Sequence, residues 1–356
     1  MSRAREFADL AGSADAGGLT GRNLIINGAC QVAQRGTSTS SVSSNIYGAC
    51  DRQKYYRDGA IDETVVTISQ STDAPTGFKY SHKVQVTTAE ASIDSDDLIC
   101  PLHYIIEGQD LQHLSYGTSS AKAMTISFWV RSNVTGVFSL SVYNNNSTRL
   151  VAPTYTISSA DTWEYKTLAI PGDQTGTIVN TNGYGLDLYF NAMVGSGFTS
   201  GTSAANAWAA YSSSSVWAVG HTAVWGSSTS DYWQITGLQL EVGEQATPFE
   251  HRSYGDELAR CQRYYTQFHN DDAGAANVFL QYNVGSGNSS SVQYSFPTTM
   301  RVAPTITYTL NANNWTFSAF QSGKSFTTLQ ATAASAGMSQ AYASSNTTWL
   351  KMDAEL

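Results

Sequence analysis

Four aromatic residues crowd one short stretch of this chain. In "SAANAWAAYSSSSVWAVGHTAVWGSS", Trp208, Tyr211, Trp217 and Trp225 stand among small and hydroxylated residues. Flat rings with small neighbours stack on the C–H faces of sugars, and Ser or Asn side chains hydrogen-bond the hydroxyls, so these four are the glycan-binding candidates. The competing reading is that the rings fill a core, because Val216, Val219 and Val224 lie beside them. A second group is acidic. Asp94, Asp96 and Asp97 in "SIDSDDLIC", with Glu90 nearby, offer several oxygens from one loop, and Ca²⁺ is the ion such a loop would take. The ligand order of an EF-hand is missing, so a solvated loop is the first expectation and a Ca²⁺ site the second.

Other chemistry finds little support. Cys30, Cys50, Cys100 and Cys261 stand far apart, no Cys-X-X-Cys occurs, and the six histidines are dispersed, which leaves no zinc or redox motif. Buried free thiols are expected, with a disulfide such as Cys30–Cys50, or a reactive cysteine, as the alternatives. There is no Gly-X-Ser-X-Gly elbow, His-Glu-X-X-His helix, phosphate loop or dinucleotide fingerprint. A polysaccharide depolymerase needs paired carboxylates facing a cleft, and no such pair stands out, so the chain is expected not to be an enzyme.

Composition points the same way. Of 356 residues, 41% are apolar, enough for real cores, but only 13% are charged, about half the usual quarter. Tyr (20), Trp (8) and Gly (29) are plentiful, a balance that suits a β-rich extracellular or virion protein. With a net charge of −9 and scattered Lys and Arg, neither nucleic acid nor an anionic membrane is an expected partner. "MSRAREFADL" lacks the apolar stretch of a signal peptide and no run approaches a membrane span, so synthesis in a cytoplasm and a soluble product are expected.

The elements that must position these residues follow from period-two alternation. "MTISFWV" puts Met124, Ile126, Phe128 and Val130 on one face, and "VFSLSVY" does so with Phe138, Leu140 and Val142. Further strands are expected around 65–69, 80–87, 163–170 and 185–190, with Gly, Asn, Pro and Ser turns between them. The reading is an antiparallel sandwich. In "YWQITGLQLEV" the apolar phase changes from odd (Trp233, Ile235) to even (Leu238, Leu240, Val242), which places a bulge at Thr236-Gly237. "SYGDELARCQRYYTQF" then reads as one amphipathic helix over 254–268, opened by the Ser253/Asp256 capping spacing. Leu258, Cys261, Tyr265 and Phe268 form its apolar stripe, a surface for packing or for a seam between subunits. Alternation resumes in "NVFLQYNV", "SVQYSF", "PTITYTL" and "TTWLKM". The expected order is a docking arm over 1–22, a jelly-roll β-sandwich over 23–252, the helix within 253–270, and a small antiparallel β domain over 271–356.

Three stretches, "GRNLIINGACQVAQRGTS", "ITGLQLEVGEQATPFEHRSYGDELARCQRYY" and "FPTTMRVAPTITY", resemble a family of tail-fibre and other virion surface proteins of marine phages. The first part of that family is similar to carbohydrate-binding jelly-roll modules. The family often continues Asp-Arg-Trp where this chain has Asp51-Arg52-Gln53, with Tyr55 and Tyr56 placed to supply the missing core contact. The resemblance implies that Leu24-Ile25-Ile26 form the first strand of the sandwich, with Gln31, Gln34 and Arg35 hydrogen-bonding nearby backbone. It implies a bacteriophage virion surface protein: a tail fibre or receptor-binding adhesin recognising host glycans, or alternatively a head decoration protein on the capsid. The arm would dock on other virion proteins. Self-association as a homotrimer is expected from the Tyr and Trp content and the helical stripe.

Overall fold

Alternating strands become two stacked sheets. A computed structural model describes residues 21–356 apart from 60–62, 203–205, 271–276, 285, 310, 314 and 344–346, so the expected arm at 1–22 lies outside the described residues except for Gly21 and Arg22. The chain divides into two compact units, one running to Tyr254 and the other from Gly255 to Glu355.

The first unit opens with β1 (Ser38–Val42), β2 (Ile46–Tyr47), β3 (Lys54–Asp58), β4 (Val65–Ser71) and β5 (Ser81–Thr88). It continues with β6 (Leu98–Glu107), β7 (Met124–Ser132), β8 (Gly136–Asn144), β9 (Arg149–Val151) and β10 (Thr154–Ile157). β11 (Glu164–Ile170), β12 (Tyr184–Asn191), β13 (Met193–Val194), β14 (Ala209–Ala210) and β15 (Tyr232–Val242) complete it. One sheet runs β1-β4-β5-β15-β7-β11; the other runs β14-β9-β8-β12-β6-β3-β2, with β10 added on β8 and β13 on β6. All the pairings are antiparallel. The inward phases of both sheets share one core. Met124, Ile126, Phe128 and Val130 of β7 join Phe138, Leu140 and Val142 of β8 and Leu186, Leu188 and Phe190 of β12, all without solvent exposure. Burial of each such aliphatic side chain stabilises the fold by roughly 1.5–3 kcal/mol.

The bulge lies where the phase change places it. Pairing of β15 with β7 slips between Thr236 and Gln239, Gly237 takes φ +62°, and Trp233, Ile235, Leu238 and Leu240 are all fully buried. The expected first strand at Leu24-Ile25-Ile26 is instead an irregular extended segment. Only Leu24 finds a β15 partner, donating to the Leu240 carbonyl at 2.9 Å. The amides of Ile25 and Ile26 donate to the Asn23 and Tyr104 side chains, and Arg252 takes the Ile25 carbonyl, so side chains replace a ladder. Gln34 bonds the Asp51 carboxylate through both its backbone amide and its side chain. Gln53 is buried where the resembling family carries Trp, and Tyr55 supplies the core ring.

The helix is shorter than its apolar stripe predicts. α1 spans Tyr254–Gln262, with Asp256 and Glu257 in its first turn. Chain direction changes after the Tyr264 amide bonds the Cys261 carbonyl, and Tyr265–Asn270 becomes a strand, β16. Leu258 and Cys261 therefore lie on the helix, whereas Tyr265 and Phe268 lie on β16, so the stripe is not one helical face. The aromatic and β-branched run Tyr-Tyr-Thr fits a pleated surface, and its partner is remote in sequence. After β16 come β17 (Asn277–Val284), β18 (Ser289–Ser295), β19 (Thr305–Tyr308), β20 (Asn311–Asn313) and β21 (Trp315–Ser322). β22 (Phe326–Ala333), β23 (Gly337–Ala343) and β24 (Thr347–Asp353) follow. They form three small sheets, β16-β24-β19, β17-β23-β20 and β18-β22-β21. Phe296, Met300, Leu350, Met352 and Ala354 form a core with Phe268 against it. No helix among the described residues is long and apolar enough to cross a membrane.

Candidate glycan-binding face

The outward phase of the β3-β6-β12-β8 strands carries an unusual set of side chains. On β12, Leu186, Leu188 and Phe190 point into the core, so Asp187, Tyr189 and Asn191 point away from it; on β8 the same rule turns Ser139, Ser141 and Tyr143 outward. Register aligns them in rows. Lys54, His103, Tyr189 and Ser141 are successive cross-strand partners, as are Asp187 and Tyr143. Tyr56 on β3 lies opposite Cys100 on β6.

The rings contact one another closely. Tyr189 stacks on His103 with centroids 3.9 Å apart and planes 12° from parallel, and Tyr56 meets both edge-on at 5.2 and 5.5 Å. Trp217 is the hub of the neighbouring group, 4.9 Å from Tyr189, 5.6 Å from Tyr211 and 5.8 Å from Tyr143. Its indole N–H donates to Asn191 Oδ1 at 3.2 Å, and Asn191 in turn donates to Ser139 and Ser141. Ser141 donates to the Trp217 carbonyl at 2.7 Å, which ties the covering loop to the sheet. Tyr56, Tyr143, Tyr189 and Tyr211 remain half-buried while Trp217 is buried beneath them.

Burial sets the charge state of the polar members. It lowers His103 well below the ordinary imidazole value, helped by Lys54 and Arg52, and neither ring nitrogen has a hydrogen-bond partner. Burial raises Asp187 to about 7, against the pull of Lys54. Burial likewise pushes the phenols of Tyr56 and Tyr189 up, so both remain hydroxyl donors at neutral pH. The face presents half-buried phenol rings over a buried, neutral imidazole, and such rings can stack on the C–H faces of a sugar.

Of the sequence candidates, the structure brings Tyr211 and Trp217 to this face. Trp208 sits elsewhere, half-buried, with its N–H on the Pro171 carbonyl at 2.6 Å and its ring edge-on to Tyr116. Trp225 is fully buried in the sandwich core, away from this face. The acidic trio does not converge either. Asp94 and Asp96 are exposed, whereas Asp97 is buried and turns its carboxylate back to accept the Asp94 amide at 2.7 Å. No group of three or more His, Cys, Asp or Glu among the described residues is placed to hold a metal ion. Sequence reasoning missed Tyr143, Tyr189, His103 and Asp187. For Tyr143, Tyr189 and Asp187 the signal was present as the outward phase of "VFSLSVY" and "GLDLYF", which alternation alone marks only as solvent-facing; His103 sits in the nearly continuous apolar run "LICPLHYIIE", where alternation gives none.

The chain matches no family model and no curated protein. Among solved structures, it is similar to the enzymatically active domain of tailspike protein 4 of bacteriophage CBA120, at 12% identity and a TM-score of 0.33 over 62% of this chain. It spans 21%, about a fifth, of the length of that protein. A CBM4 module matches at 9% identity and a TM-score of 0.30, over 61% of this chain and 98% of its own. The baseplate tripod of bacteriophage Tuc2009 matches at 11% identity and 0.27, over 77% of this chain and 83% of its own.

Proposed function

We propose that this chain is a phage virion surface protein of the tail-fibre or receptor-binding kind, and that its sandwich holds host surface glycans on the outward face of β3, β6, β12 and β8. The observation that carries the reading is the ring group of Tyr56, His103, Tyr143, Tyr189 and Tyr211 arranged around Trp217 on one sheet face. A purely structural exterior has no need of four half-buried tyrosine rings gathered on one sheet face. The sequence resemblance to virion surface proteins supplies the setting. The chain binds without cleaving, and it acts as a homotrimer whose seam is not the Leu258–Phe268 stripe, since Cys261 and Tyr265 are already buried within one copy.

The test is binding of the full chain to immobilised bacterial capsular polysaccharides and lipopolysaccharides. Tyr56→Ala and Tyr143→Ala should each weaken binding about 5- to 150-fold, the equivalent of roughly 1–3 kcal/mol, with the melting temperature nearly kept. No binding to any surface polysaccharide, or binding unaffected by both substitutions, sinks the reading and favours head decoration. Appearance of new reducing ends would make the chain a depolymerase.

A further inference from the structure

Resting on the glycan-binding reading above, we infer that Asp187 is the specificity-determining residue of the ring face: its carboxylate accepts hydrogen bonds from two neighbouring hydroxyls of a neutral sugar seated against Tyr143 and Tyr189. Alternation turns Asp187 outward on β12, where it pairs across with Tyr143 of β8 and Ile105 of β6 and stands one pleat along from Tyr189. Although outward, it is fully buried, and neither of its carboxyl oxygens has a partner of hydrogen-bonding geometry. His103, the cross-strand partner of Tyr189, repeats the pattern, being 2% exposed with both ring nitrogens unpaired. Buried polar side chains nearly always carry partners, because an unpaired one gives up its hydration and receives nothing in exchange. Two such residues, diagonal to one another on one sheet face, mark a place where a ligand supplies the missing bonds.

Position and charge define that ligand. Two carboxylate oxygens call for two donors, and adjacent hydroxyls of a pyranose present them on the edge of a ring whose C–H face rests on a phenol. Glu107 lies two residues beyond Ile105 on the same phase of β6, so a sugar with its own carboxylate would bring like charges together. Tyr143 and Tyr189 flank Asp187 half-buried, and Asn145, two residues beyond Tyr143 on the exposed β8–β9 turn, is the side chain an entering sugar displaces. The titratable and charged groups around Asp187 are Lys54 of β3, His103 and Glu107 of β6, Tyr143 of β8 and Tyr189 of its own strand. Burial raises Asp187 to about 7 in the free protein, while it holds His103 well below the ordinary imidazole value and pushes Tyr189 up. Hydrogen bonds from hydroxyls favour the ionised carboxyl, so binding draws Asp187 down and releases its proton. Affinity therefore rises with pH through about 7.

The experiment measures binding of the full chain and of Asp187→Asn to immobilised bacterial capsular polysaccharides, one set neutral and one set bearing uronic acids, at about pH 6 and about pH 8. The wild-type chain should prefer the neutral set and hold it about tenfold more tightly at the higher pH. Asp187→Asn keeps the shape of the side chain, and it should weaken binding at the higher pH at least about tenfold and flatten the pH dependence. Its melting temperature should be kept or raised, because the fold gives the carboxyl oxygens no bond to lose. A preference for the uronate-bearing set, a flat wild-type pH profile, undiminished binding by Asp187→Asn, or a lowered melting temperature in that variant would each overturn the inference. Loss of binding in Tyr56→Ala and Tyr143→Ala with Asp187→Asn unaffected would leave the glycan face standing and strike Asp187 alone, whereas no binding to either set would remove both.

Discussion

Tyr55 and Tyr56 are neighbours in sequence and opposites in the fold. Tyr55 is fully buried in the sandwich core, while Tyr56 lies half-buried on the outer face against His103 and Tyr189. Tyr55→Ala should therefore cost about 3–5 kcal/mol in chemical denaturation, whereas Tyr56→Ala should cost under about 1.5 kcal/mol and be felt in glycan binding. Equal losses of stability would mean that Tyr56 is merely another packing ring. The histidines make a second residue-scale prediction. Burial lowers His82 and His221 to about 4, and lowers His103 and His113 as well. Between pH 6.5 and 4 the unfolded chain then binds more protons than the folded one, so these groups add stability above about pH 6.5 that is lost on acidification. For His82 and His221 the loss is roughly 3 kcal/mol each by pH 4. Asp187, raised to about 7, and Asp97, also raised, act oppositely, losing stability as pH rises from about 4 toward 7. Glu164 and Glu250 are lowered and side with the histidines. The melting temperature should fall steadily from pH 7 to 4.5, and His221→Asn should flatten that fall. A flat profile in the wild-type chain would contradict neutral buried histidines.

At the scale of elements, the bulge in β15 is the joint on which the sandwich turns. A Cβ at Gly28 would stand 2.1 Å from the Leu238 carbonyl oxygen, and one at Gly237 2.6 Å from the Phe78 ring. Gly28 meets rigid backbone, and its own carbonyl accepts the Leu238 amide at 3.0 Å, so Gly28→Ala must break that approach. Gly237→Ala adds left-handed strain at φ +62° to the clash with Phe78. Each substitution should destabilise by about 2 kcal/mol or more, read as a fall in denaturant midpoint at constant slope. Gly36→Ala, with nothing within 4 Å of its Cβ and only its φ of +105° to offend, should cost less than Gly28→Ala. The reverse order would place the strain outside the β15 contact.

For the whole molecule, the division at Tyr254/Gly255 separates a large sandwich core from a small one built on Phe296, Met300, Leu350 and Met352. Cores of such different size should melt as separate cooperative units. Calorimetry should resolve two transitions, the lower belonging to the C-terminal unit. Leu350→Ala should shift the lower transition alone; a single transition moved as a whole would mean that the two units unfold together.

The sequence by itself determined what depends on neighbours along the chain. Alternation marked the strands, and the phase change in "YWQITGLQLEV" located the bulge. Local periodicity also overreached: the spacing of Leu258, Cys261, Tyr265 and Phe268 satisfies a helix, but pairing of Tyr265–Asn270 with Thr347–Asp353 outweighed it, a contact no local window contains. Tertiary structure alone decided which aromatics line the candidate face. Alternation puts Tyr143 and Tyr189 on an outward phase without telling that strand order makes them neighbours, that Trp217 folds over to join them, or that Trp225, in the same short stretch, fills the core instead. Strand order is a product of long-range burial, and a side chain's surroundings are legible only once that burial is complete.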